Sequence, residues 1–276
     1  MTETVASVRA VTERLWPQSG TEPWDAPGLL SGALAAPVTR VHLAVDAVAD
    51  TVAEAIDSGA DLLLVHHPLL LRGVTSVAED RYKGALLARL IRAECALIAA
   101  HTNADVVAEG TSAVFAGLLG LTDAIPIACG SELDRASGIG IGRIGRLPEA
   151  TTLGRLAQRI AELLPATAGG VRAAGPFERP VSLVALCAGA GDAFLEEPAV
   201  RSADVYITSD LRHHPASEAR ERALIGAGPA LIDVSHWAGE WLWLQTAAAQ
   251  LRSALPDATI TVSDLRTDPW DFAIVQ

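Results

Sequence analysis

A chain of 276 residues is long enough to bury one large core or two ordinary ones, and with half of its residues hydrophobic it is not a disordered chain. The net charge of −12 disfavours non-specific attraction to nucleic acid or to an anionic membrane surface. Cys95, Cys129 and Cys187 lie too far apart for a zinc-ribbon or redox spacing, so three buried free thiols are expected, and without a secretory or membrane-spanning apolar run the expected location is the cytoplasm.

In chain order, Val5, Val8, Val11 and Leu15 recur at helical spacing and predict an amphipathic helix over residues 3–15. Residues 24–28 read as a turn, residues 38–45 as a strand, and residues 48–58 as a helix that Gly59 stops. Residues 62–65 are apolar at every position, as in a strand covered on both faces of a parallel sheet, and run directly into His66-His67-Pro68. A helix over 82–93 and a second buried strand over 96–100 follow, then His101 and a helix over 105–119. Past Pro126 the chain becomes glycine-rich, and a domain boundary is placed near residue 127. A strand over 181–187, the turn 188–191, a helix to about Arg201, a strand over 205–208, a helix over 216–227 and a strand over 231–234 then repeat the first order of elements.

The repeat extends to the polar residues. His101 and His236 each precede a carboxylate by four positions, Asp105 and Glu240, and each is preceded by a histidine doublet, His66-His67 and His213-His214. Strands alternating with helices predict an α/β fold of two pseudo-symmetric domains, 1–126 plus 230–276 and 127–229. In that scheme His66-His67 corresponds to His213-His214, His101 to His236 and Asp105 to Glu240. Imidazoles and carboxylates gathered by a fold suit a divalent transition metal, which makes a two-metal centre the leading reading. Taken singly, each motif has an ordinary explanation: a His-His-Pro triplet can cap a helix and face solvent, and a His-x-x-x-Glu pair on a helix is worth a few tenths of a kcal/mol. Four such clusters in one chain outweigh those explanations. Ligation, substrate contact and plain structure stand as alternatives for His213 and His214, with Asp210 near enough to orient one ring. The Ala188-Gly189-Ala190-Gly191 turn reads as a steric requirement rather than an anion site, since no phosphate-binding fingerprint accompanies it.

Trp24-Asp25 with Gly28-Leu29, Ala44-Val45-Asp46, His66-His67-Pro68, His101-Thr102-Asn103 with Asp105, Gly138-Ile139-Gly140, the 188–191 turn, Thr208 to His214 and Asp233 to Glu240 follow one another in a recognisable order. Over nearly the whole chain this order resembles the Ngg-interacting-factor-three-like family, often labelled GTP cyclohydrolase type 2 homologues and bearing a dinuclear metal centre. The resemblance implies that His66 and Asp105 bind one ion, that His67 and His236 bind the other, and that Glu240 joins both, with His101 close by. It also implies two α/β domains with a metal cleft between them, a ring-shaped homohexamer and two divalent ions drawn from zinc, iron, manganese, cobalt or nickel. The implied activity is a metal-dependent hydrolase acting on a small molecule such as a purine nucleotide, with His101, His213 or His214 carrying protons; the alternative is a metal-binding regulatory or metal-handling protein without turnover. Ala26-Pro27, Ser209 and Ser235 depart from the family pattern beside the ligands, which bears on substrate identity more than on metal binding. The inserted domain of longer members is absent at this length.

Overall fold

The computed structural model describes residues 2–274. The chain divides into two compact units, Met1–Ala104 with Leu244–Thr267 and Asp105–Trp243 with Asp268–Gln276. Each is built on its own sheet, giving a two-domain α/β fold.

In the first unit the strands lie in the order Thr259–Val262, Arg40–Ala44, Leu62–Val65, Ala96–Ala99, Gly28–Ser31, the first four parallel and the last antiparallel. Leu62–Val65 is central and buried at all four positions, as its unbroken apolar run requires. The helices Ala49–Asp57 and Tyr82–Arg92 help cover the sheet: Val52, Ala55, Leu86, Leu87 and Leu90 join Leu63, Val65 and Leu97 in one core cluster. Gly59, at φ +69°, takes the left-handed conformation that follows a helix end. The opening helix Val5–Leu15 begins at Thr4, whose hydroxyl accepts the Ser7 N–H while the Ser7 hydroxyl accepts the Thr4 N–H.

The second unit holds six strands in the order Thr122–Ile125, Arg143–Thr152, Pro180–Ala190, Val205–Ser209, Ala230–Val234, Arg172–Ala174. The run from Pro180–Ala190 to Ala230–Val234 is parallel, and the flanking strands are antiparallel. Thr152 caps the helix Leu153–Leu163, its hydroxyl accepting the Arg155 N–H.

The expected limits 1–126 plus 230–276 and 127–229 differ from these units. Residues 122–125 pair with Arg143–Thr152, and Ala230–Val234 pairs with Val205–Ser209, so both belong to the second sheet. Only the helix Trp243–Ala254 and the strand Thr259–Val262 lead back to the first sheet, where the strand pairs with Arg40–Ala44. Nor is 105–119 one helix: Thr102–Asp105 and Thr111–Leu118 are separate, with Gly110 extended before the second. Cys95 and Cys187 are buried, whereas Cys129 is half-buried rather than sealed away. Among the described residues no helix is long and apolar enough to cross a membrane.

One buried charge organises the glycine-rich loop of the second unit. Gly140 and Gly142 take φ of +146° and +64°, and a Cβ on Gly142 would come within 2.9 Å of the Leu186 carbonyl oxygen. The loop curls around Arg143, whose guanidinium donates to the carbonyl oxygens of Gly138, Gly140, Gly142 and Val107 at 2.6–2.9 Å. Burial pushes that guanidinium down to about 10, still charged at neutral pH. Replacing Arg143 with Met keeps the stem and strips four carbonyls of their donor, so the variant should lose about 2–4 kcal/mol of unfolding free energy in a urea titration. A wild-type midpoint would show that the clamp is dispensable.

Candidate metal centre

Three histidines of the first unit follow the carboxyl ends of adjacent parallel strands, the place where open α/β sheets present their chemistry. His66 and His67 follow Leu62–Val65, and His101 follows Ala96–Ala99 by one residue. Their ring centroids are 5.0, 5.2 and 5.4 Å apart, and each ring offers one nitrogen such that the three lie within 4.8 Å of one another. Adjacent strand residues point to opposite faces. Here the strand has ended at Val65, so the backbone turns and both rings of the doublet join the same group.

What orients these rings is the same in each case. The Nδ1 of His66 lies 2.7 Å from the Ala100 carbonyl oxygen, that of His67 2.7 Å from Asp46 Oδ1, and that of His101 2.8 Å from Asp25 Oδ1. An acceptor at Nδ1 places the proton of a neutral imidazole there and gives Nε2 the lone pair that a metal needs. Asp25 is a hub, accepting also from the Thr102 N–H at 3.1 Å, the Thr102 hydroxyl at 2.5 Å and the Ala26 N–H at 2.7 Å. Burial pushes its carboxyl up, but the hydrogen bonds from His101, Thr102 and Ala26 and the charge of His101 outweigh that and bring it down from 3.8 to about 2. Asp46 is held on its other side by the Thr267 hydroxyl at 2.5 Å. Trp24 meets the His101 ring edge-on, centroids 5.8 Å apart.

The second unit carries the matching device on the helix His236–Trp241, capped at Ser235. The Nδ1 of His236 lies 2.7 Å from Asp210 Oδ2, and its Nε2 lies 3.0 Å from Glu240 Oε1 one helical turn on. Glu240 is buried, 3% exposed. Burial opposes charge on the His236 ring, yet Glu240 and Asp210 overcome it and hold the imidazole well above the ordinary histidine range. Asp105 accepts from the Thr111 hydroxyl at 2.5 Å. Burial, followed by the charges of Asp105 and Glu240, pushes the nearby Cys187 thiol up to about 12. Two carboxylates gathered around one imidazole and an inert thiol suit a cation.

The 188–191 segment is strand rather than loop as far as Ala190, and its glycines are steric, as expected. A Cβ on Gly189 would sit 2.4 Å from Glu240 Oε1 and 3.4 Å from His236 Nε2, and one on Gly239 would sit 2.6 Å from the Ala188 carbonyl oxygen. The helix bearing both donors therefore rests directly on the strand backbone.

The expected equivalence of the two doublets does not survive the strand register. Val65 pairs with Ala99, which puts His66 one residue past one strand and His101 two past the other; Ser209 pairs with Val234, which puts Asp210 and His236 in those same places. Asp210 is thus the counterpart of His66, and it orients His236 rather than a ring of the second doublet. His213 and His214 open the exposed helix His213–Leu224 and belong to neither donor group described above. The orienting parts of Asp25 and Asp46 were missed in the sequence, although both stand in the motifs quoted there. Their signal is a short one, an aspartate within two residues of the strand end at Ala44 or beside the turn before Gly28. His42 is structural: it is buried between Thr261 Oγ1 at 2.8 Å and Glu54 Oε2 at 3.0 Å.

Fold and donor groups together define a two-domain α/β protein with histidine–carboxylate clusters at strand ends. The chain belongs to the Duf34/NIF3 (NGG1p interacting factor 3) family, whose model matches residues 3–269. It is 42% identical over 270 residues to a Streptomyces coelicolor protein named GTP cyclohydrolase 1 type 2 homolog, covering 96% of this chain and 93% of that one. A Mycobacterium tuberculosis protein of the same name is 33% identical, with 99% of this chain and 98% of the relative covered. Among solved structures, a Bacillus cereus protein related to NIF3 superposes with a TM-score of 0.89 at 22% identity, covering 99% of this chain and 100% of that one. A Staphylococcus aureus hypothetical protein does so at 0.87 and 26%, with the same coverage.

Two outcomes follow from this geometry. Gly189→Ala should displace the Glu240 carboxylate and weaken zinc or manganese uptake at least about tenfold, measured by calorimetric titration; undiminished uptake would mean that Glu240 yields without cost. Asp25 is lower in the folded chain than its ordinary 3.8, so its stabilisation is present above that value and is lost as pH falls toward about 2. The stability gap between wild type and Asp25→Asn in urea should therefore shrink steadily from pH 5 downward. A gap independent of pH would assign the loss to packing.

Proposed function

We propose that the chain is a dinuclear divalent-metal-dependent hydrolase, with His66 and Asp105 on one ion, His67 and His236 on the other, and Glu240 joining both. The observation that carries this reading is the commitment of Nδ1 in all three ligand imidazoles, His66, His67 and His236, to an oxygen acceptor. Core histidines rarely need such uniform orientation, whereas ligating ones depend on it. The donor set mixes imidazole with carboxylate, which suits zinc, iron, manganese, cobalt or nickel better than magnesium.

Bound divalent ions would supply Lewis-acid stabilisation of developing negative charge and lower the pKa of a water toward neutrality. The remaining work falls to side chains. Asp46, Asp25 and Asp210 hold their imidazoles in one tautomer and one orientation, so that no reorganisation accompanies the reaction. His101, gripped by Asp25 and beside the two rings of the doublet, is the group placed to accept and return a proton at Nε2. His213 and His214, the other expected proton carriers, stand exposed at a helix start, which favours His101 instead. The relatives' name, GTP cyclohydrolase 1 type 2 homolog, supports a purine nucleotide as the substrate class, opened at the imidazole carbon or cleaved at phosphate. A cytoplasmic homohexamer is proposed with it.

Formate and phosphate release from a panel of purine nucleotides tests the reading. Metal-loaded wild type should turn over at least one of them, and Glu240→Ala should lose the activity by more than the roughly hundredfold that an outer hydrogen-bond partner commands. Two ions per chain by elemental assay without turnover on any substrate would replace the hydrolase with a metal-handling protein; no ions after reconstitution would end both.

A further inference from the structure

A pocket of about 450 Å³ lies within the second unit, lined by the edge strand Arg172–Ala174, the strand Ala230–Val234 and the helix His213–Leu224. His213, Ala216, Ser217 and Arg220 line it from the helix, at the i, i+3, i+4, i+7 spacing of one helix face. Leu231 and Asp233, two apart on their strand, line it from below.

The charges in this pocket are unequal in their commitments. Asp233 is 8% exposed, and its carboxylate is met on one oxygen by the Arg172 guanidinium and on the other by the Leu211 N–H at 3.1 Å. Arg220, by contrast, forms no ion pair among the described residues, and the ring of His213 packs edge-on against that of His214. Arg220 thus brings an uncommitted guanidinium to the helix wall of the pocket. Beside it Ser217 adds a hydroxyl, while Leu211, Leu231 and small alanines give an apolar floor.

We propose that this pocket binds a small phosphate-bearing molecule with a flat apolar body, the phosphate taken by Arg220 and the body laid against Leu231 and Leu211. Guanidinium groups match a phosphate by paired N–H donors, and a concavity of a few hundred Å³ holds a metabolite-sized ligand. The net charge of −12 turns away a polyanion such as nucleic acid, which leaves a small molecule as the occupant. This inference is independent of the metal reading.

The test titrates AMP and pyrophosphate by calorimetry into the full chain after chelation. AMP should bind saturably at one site per chain; Arg220→Gln should weaken it at least about tenfold, and Ser217→Trp, which fills the pocket from an exposed position, should abolish it. Thermal melting of each variant keeps a folding defect apart from a binding defect. Binding of AMP only after zinc or manganese is restored would place it at the histidine donors and overturn the proposal. So would wild-type affinity in Arg220→Gln, or the absence of saturable binding at millimolar AMP. Pyrophosphate binding as tightly as AMP would remove the apolar body from the claim.

Discussion

The bond between an imidazole Nδ1 and a fixed oxygen acceptor is the constraint on which the rest of this protein depends. A histidine at a strand end is free to rotate its ring and to divide its neutral form between two tautomers; an acceptor at Nδ1 removes both freedoms. Each acceptor is a product of the fold. Asp46 stands two residues past the strand Arg40–Ala44, Ala100 one past Ala96–Ala99, and Asp210 one past Val205–Ser209, so that the sheets deliver acceptor and ring to the same level. Asp210 holds its place at φ +56°, a left-handed backbone that a non-glycine residue adopts at a cost of about 1–2 kcal/mol. That strain is concentrated on the residue that grips His236.

Two sheets with one plan explain why the chain repeats itself, and where it stops doing so. Each has three neighbouring parallel strands in sequence order, with an antiparallel strand beside the third. In each, a residue one past the middle strand faces a histidine two past the third. In the first unit that residue is His66, in the second it is Asp210. The same position thus supplies an imidazole donor on one side and an orienting carboxylate on the other. The histidine doublet of the second half lies beyond the position that corresponds to His66. It opens a helix instead, where His213 turns toward a pocket of its own.

Packing against the strand Pro180–Ala190 is a second, steric constraint. Glu240 is buried, and its carboxyl occupies the space that a side chain on Gly189 would fill. Gly239 lets the short helix come down onto Ala188. Gly189 and Gly239 are there to admit a carboxylate and its helix.

Much of this was legible in the residues. Continuous apolar runs gave Leu62–Val65 and Ala96–Ala99 as buried strands, because a strand covered on both faces has no polar side to alternate, and Gly59 marked a helix end through its own backbone freedom. The i, i+4 pairing of His236 with Glu240 followed from helical periodicity alone. Three things were not legible. The limits of the units hang on which strands pair, and Ala230–Val234 reads equally well as a partner for either sheet until its neighbour is known. The equivalence of His66 with Asp210 is a matter of strand register, which leaves no mark in composition or spacing. The grip of Asp25, Asp46 and Asp210 on their rings joins residues 76, 21 and 26 positions apart. The sequence by itself determined the local elements and the kinds of donor atom, since both follow from side-chain chemistry within a few residues. Only the tertiary structure decided which oxygen orients which ring, because a hydrogen bond across such separations exists only after the strands have chosen their partners.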